Sequence, residues 1–195
     1  MCRVKNIVFS FVASLLFIVT VGLLDLIYKN SHNNVSLAET IKEKIIHKKT
    51  TKYKFLDEEI AFYIESLSKD LDLDSDLIVA ILMVENETFN PYAMNKNKNG
   101  TIDVGLFQIN DKYLWATFQY TYWKSDIQLD PFNWKHNTFI AIHHIRYLFD
   151  HLHEEDKVIM GYNCGINGVR KDKIPKSTKI YLEKVKSNIE YLKTL

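Results

Sequence analysis

A mainly helical fold of the α+β kind, one helical domain carrying a small loop or hairpin, is what this sequence predicts. Apolar residues recur at helical spacing, first as Phe55, Ile60, Ile64 and Leu67, then as Leu77, Ile78, Ile81, Leu82 and Val84 behind the capping candidates Asp74 and Ser75. Three later stretches, residues 133–152, 154–162 and 177–195, keep the same periodicity. Residues 86–103 between these groups are polar and Asn/Gly-rich, which predicts a loop or a short hairpin. No internal repeat interrupts the pattern.

The chain before the first helix divides into three parts. From Ile7 to Leu24 every residue is apolar or small, and with Asp25 as the one interruption the run continues to Tyr28, which is transmembrane length. Arg3 and Lys5 stand before it and place the N-terminus in the cytoplasm, so the rest of the chain is expected on the outer side of the cytoplasmic membrane. Ser36 and Ala38 resemble a signal-peptidase site but lie too far beyond the apolar run, and Cys2 is too early for a lipidated cysteine. Asp25 is expected among the headgroups. Residues 29–54 are polar and Lys-rich, with too few large apolar groups for a core. The expected organisation is a cytoplasmic stub (1–6), a transmembrane anchor (7–28), a polar tether (29–54) and a folded domain (55–195).

Composition narrows the function. The 195 residues are 47% hydrophobic and 25% charged, which excludes disorder over the whole length. Lys plus Arg number 25 against 24 Asp plus Glu, so no whole-chain field draws in nucleic acid. The two cysteines, Cys2 and Cys164, lie at opposite ends, which argues against a disulfide framework; with no base beside it, Cys164 is expected to be a small buried residue.

The chemistry is concentrated in residues 80–110, AILMVENETFNPYAMNKNKNGTIDVGLFQIN. An apolar helix ends in Glu85, and a polar loop leads to Gly105, Leu106, Phe107, Gln108, Ile109 and Asn110. A carboxyl at the edge of an apolar helix is partly desolvated, which raises its pKa until it holds a proton near neutrality. Such an acid can protonate the leaving oxygen of a glycoside.

These residues resemble the catalytic core of the lytic transglycosylases with a soluble-lytic-transglycosylase, lysozyme-like domain, near the small enzymes of secretion and pilus machinery. The first matching block is the Glu85 helix followed by Phe89, Asn90, Pro91 and Ala93, and the second is Gly105 to Asn110. The third is Gly161, Tyr162, Asn163, Cys164 and Gly165, with Thr178, Tyr181 and Val185 on a last helix. The resemblance implies cleavage of peptidoglycan glycan strands between N-acetylmuramic acid (MurNAc) and N-acetylglucosamine (GlcNAc), without a cofactor and with 1,6-anhydro-MurNAc ends. It implies Glu85 as the catalytic acid, Gln108 and Asn110 lining the sugar cleft, Tyr162 and Asn163 as its floor, and Tyr181 packed against that floor. Envelope-spanning machinery is a candidate partner.

The chain departs from the family pattern by one extra residue between Glu85 and Phe89, which makes Glu87 a rival acid; Cys164 also replaces the usual Ala. Ala80, Ile81 and Leu82 at the family's distance favour Glu85. A likeness to animal-type lysozymes puts Asp103 where they carry an Asp before the Gly-x-x-Gln-x-Asn segment. Asp103 is thus either the second carboxylate of a hydrolytic muramidase or a brace that accepts loop N–H groups. A wall-binding protein without turnover is disfavoured by the presence of Glu85, Gln108, Tyr162 and Asn163 together.

Other signals weigh less. Asn95, Asn97, Asn99, Gly100 and Asp103 imitate a calcium loop, but Leu106 occupies the position of the closing Glu, so a capped turn is expected. His143, His144, His151 and His153 lack a zinc-motif spacing and are expected on a helix surface. The cations from Arg170 to Lys186 read as a solvated face. Trp115, Trp123, Trp134, Tyr120 and Tyr122 fit either sugar stacking or core burial.

Overall fold

The computed structural model describes residues 51–112 and 130–195. The expected anchor, residues 7–28, lies outside them, as do the stub, most of the tether, and Trp115, Tyr120, Tyr122 and Trp123. Among the described residues no helix is long and apolar enough to cross a membrane.

Helix α1 (Glu58–Asp70) starts at Asp57, whose carboxylate accepts the N–H groups of Glu59 and Ile60. Helix α2 (Ser75–Glu85) starts at Asp74, which accepts the N–H of Asp76. After the sheet come α3 (Trp134–Leu152), capped by Asn133, then α4 (Glu155–Cys164), the short α5 (Ile166–Arg170) and α6 (Lys176–Leu192). Helices α1 and α2 carry the apolar spacing read from sequence, α3, α4 and α6 lie within three residues of the ranges expected, and α5 was not anticipated.

Helix α2 is the centre of the packing. Leu77, Ile78, Val79, Ala80, Ile81 and Leu82 are all buried, so it is enclosed on nearly every side. Val185, Ile189 and Leu192 of α6 join it in one core with Ile140, Ile145 and Leu148 of α3 and Val158 and Ile159 of α4. Glu85 is therefore the last residue of a rod fixed by the core.

The expected hairpin is present and gains a third strand. Strands β1 (Met94–Lys96), β2 (Ile102–Val104) and β3 (Ile109–Asn110) form an antiparallel sheet in that order. Met94 pairs with Val104, Lys96 with Ile102, and Asp103 with both Asn95 and Asn110. The turn from β1 to β2 is capped as expected, because Asn99 Oδ1 accepts the Thr101 N–H and O–H and Gly100 takes a φ of 82°.

Residues 51–54, read above as the end of the tether, instead pack into the folded unit. Tyr53 is fully buried, and its hydroxyl donates to Asp76 Oδ1 at 2.7 Å. Lys52 pairs with the same carboxylate at 2.6 Å. Composition concealed this because one buried ring and one half-exposed ion pair suffice to dock a polar segment. His143 and His144 also differ from expectation: both are half-buried, and burial lowers each to about 4, so they are neutral packing residues. His151 and His153 are exposed as expected. Cys164 is half-buried rather than enclosed. Trp134 packs edge-on against Tyr63, with ring centroids 5.6 Å apart.

Candidate active site

The cap of α2 sets the site. Asn86 is buried and leaves the helix; its amide donates to Asn90 O at 2.8 Å and to Gly105 O, and its Oδ1 accepts the N–H of Asn90. One side chain thereby ties the end of the Glu85 helix to both following loops. A second tie comes from α3. Asn137, fully buried, accepts the Phe107 N–H at 2.8 Å and donates to Val104 O at 2.8 Å and to Pro131 O. Both amides satisfy loop groups that would otherwise be orphaned, and neither was singled out from sequence.

Glu85 is half-buried at the junction of α2, α6 and this loop. The Tyr181 hydroxyl donates to its Oε1 at 2.6 Å, and no described residue donates to Oε2. Burial raises the carboxyl from 4.5 to about 7; the Tyr181 hydrogen bond opposes this, and the charge of Asp103 adds to it. Tyr181 and Tyr162 are held well above the ordinary phenol value of 10.0, by burial first and then by Glu85. Both remain neutral donors. Tyr162 donates to Phe107 O at 2.9 Å, bridging α4 to the loop.

The remaining candidates are distributed around this acid. Gln108 adopts a φ of 47°, a strained position for a residue with a side chain. Its amide N–H donates to Gly105 O at 2.9 Å. Asp103 accepts from Asn110 at 2.6 Å and from Asn97 at 2.9 Å, one amide on each oxygen. The amides that hold it are side-chain groups, not the backbone N–H groups expected of a brace. Asn110 is its partner in the sheet. Asn163 is exposed, and its Oδ1 accepts the Thr178 hydroxyl at 2.7 Å. Glu87, the rival acid, is exposed at the edge of a cavity of about 370 Å³ between α2 and α6, whose walls include Met83, Phe89 and Lys184 but not Glu85. Among the described residues no group of His, Cys, Asp and Glu is arranged to hold a metal ion.

Fold and site together are of the lysozyme-like class: a central helix ending in a desolvated glutamic acid, faced by a small sheet and its loop. The transglycosylase SLT domain model matches residues 62–183, and the chain belongs to that family. The fold is similar to that of an inactive glutamate-to-glutamine mutant of the lytic transglycosylase Slt from Pseudomonas aeruginosa, at 16% identity and a TM-score of 0.54, over 66% of this chain and 23% of that one. It is also similar to the 70 kDa soluble lytic transglycosylase SLT70 from Escherichia coli, at 18% identity and a TM-score of 0.55, over 68% of this chain and 24% of the other. A stretch of 34 residues is 56% identical to lysozyme c-1 of Anopheles gambiae, covering 17% of this chain and 24% of that protein. The chain thus spans about a quarter of the length of each of these relatives.

Proposed function

We propose that the protein is a peptidoglycan lytic transglycosylase that cleaves the MurNAc–GlcNAc bond and leaves 1,6-anhydro-MurNAc ends, with Glu85 as both acid and base. The observation that carries this reading is the Glu85 carboxyl itself, raised to about 7, held through Oε1 by Tyr181 and with no donor to Oε2 among the described residues. From Oε2 the proton passes to the glycosidic oxygen as the bond to the MurNAc anomeric carbon breaks. The acetamido group of MurNAc stabilises the cation. The Glu85 carboxylate then takes the proton of the sugar's own 6-hydroxyl, whose oxygen closes on the anomeric carbon, and the enzyme is returned protonated. The nucleophile is tethered to the reacting sugar, so its effective concentration is high and no bound water is required. Family membership and the inactive glutamate-to-glutamine mutant of the P. aeruginosa Slt support the assignment.

Hydrolysis by Glu85 with Asp103 as second carboxylate is the alternative, favoured by the short lysozyme match and by the field of Asp103 at Glu85. Against it, both Asp103 oxygens are already occupied by amides. Mass spectrometry of products from purified peptidoglycan decides: anhydro ends are expected from the wild type and unchanged in kind from Asp103→Asn. Reducing ends, heavier by about 18 Da from the added water, overturn the transglycosylase reading.

Tyr181 supplies a pH test. Its hydrogen bond stabilises the charged carboxylate, so Tyr181→Phe raises the Glu85 pKa further. A general acid must be protonated, so kcat/KM falls as pH rises through that pKa. The alkaline limb, expected near pH 7 in the wild type, moves upward in Tyr181→Phe. A downward move would contradict this role.

Residues 7–28 are proposed to anchor the domain on the outer side of the cytoplasmic membrane, from the apolar run behind Arg3 and Lys5. Full-length protein then fractionates with membranes, and a soluble form starting near Glu39 would refute the anchor.

A further inference from the structure

We propose that Tyr92, with Met94 and Phe132 beside it, is a platform at the rim of the site for the apolar face of a pyranose ring in the glycan strand. This rests on the substrate reading above. Tyr92 is 70% exposed, the most open of the large apolar side chains among the described residues, and Met94, two positions on, is 60% exposed. The Phe132 ring stands 6.3 Å from that of Tyr92. Tyr92 and Met94 thus leave two large apolar side chains in water.

That surface is held in register with the chemistry. Asn90 is hydrogen-bonded through both backbone groups to Asn86, the cap directly after Glu85, and its own side chain accepts the Tyr92 N–H at 2.9 Å. On the other side of Tyr92, Ala93 O accepts the Gly105 N–H at 2.9 Å and lies 3.5 Å from the Gln108 amide nitrogen. Tyr92 therefore sits on a turn strung between the cap of the Glu85 helix and the segment that carries Gln108. A pyranose offers an apolar C–H face to an aromatic ring and polar edges to an amide such as that of Gln108, and on the substrate reading sugars are the groups brought to this site.

The test measures binding of peptide-free glycan strands by calorimetry in the non-cleaving Glu85→Gln protein. Adding Tyr92→Ala is expected to weaken Kd about tenfold, and adding Tyr92→Phe to leave it within about twofold, because the ring face is kept. Equal binding by the Tyr92→Ala protein overturns the platform while leaving the substrate reading intact. Self-association that disappears with Tyr92→Ala, seen by sedimentation, overturns it in favour of a second copy of the chain. No binding by the Glu85→Gln parent removes both the platform and the substrate reading beneath it.

Discussion

Glu85→Gln is expected to lower turnover of purified peptidoglycan by at least about 10³-fold while the domain stays folded. The amide keeps the volume and the Tyr181 contact but has no transferable proton, and each general acid or base step is worth about 10²–10⁴-fold. The same substitution is expected to stabilise the protein at alkaline pH. The folded carboxyl titrates at about 7 against 4.5 for an ordinary one. Between those values the native state holds a proton that the unfolded chain has lost, so stability is full below pH 4.5 and falls as pH rises to 7. Above pH 7 the loss is about 3 kcal/mol, at about 1.4 kcal/mol per pKa unit. Glu85→Gln lacks that slope and unfolds at a higher temperature than wild type at pH 8. Loss of activity in Glu87→Gln, with Glu85→Gln still active, would transfer the acid role to Glu87.

Gly105→Ala is expected to produce the largest loss of stability. Gly105 has a φ of 78°, and an added Cβ meets the Asn137 side chain and stands 2.9 Å from Pro131 O. The left-handed backbone costs about 1–2 kcal/mol for a residue with a side chain, and overpacking adds about 1–3 kcal/mol. A total near 3 kcal/mol lowers Tm by about 10 °C in a domain of this size. Gly100→Ala is the control: its φ is 82° but its Cβ meets nothing within 4 Å, so it bears the backbone part alone. Equal losses for the two variants would show that Asn137 yields and that the loop is not held as described.

What the sequence revealed was local. Asp74 caps α2 from one residue away, the polar run after Glu85 turns back through Asn99 and Gly100, and the apolar periodicity of α1, α2, α3 and α6 survives into the core. The raised carboxyl of Glu85 was legible because desolvation at the end of an apolar helix follows from the helix alone. Its hydroxyl partner was not: Tyr181 lies 96 positions away, and its contact with Oε1 depends on how α6 crosses α2. The resemblance placed Tyr181 near the floor, not on the carboxylate. Asn137 and Asn86 carry no motif, since a buried asparagine differs from a solvated one only in what folds around it. Tyr53 was hidden by its Lys-rich neighbours.

The docking of Lys52 and Tyr53 has a mechanical consequence. Both side chains bind Asp76, at the first turn of α2, and Lys52 Nζ also lies 3.4 Å from the carbonyl of Leu192 at the end of α6. Glu85 ends the same helix about 14 Å away, at about 1.5 Å per residue. A pull on residue 51 would therefore meet this clamp at the first turn of α2, one helix length from the carboxyl at its far end.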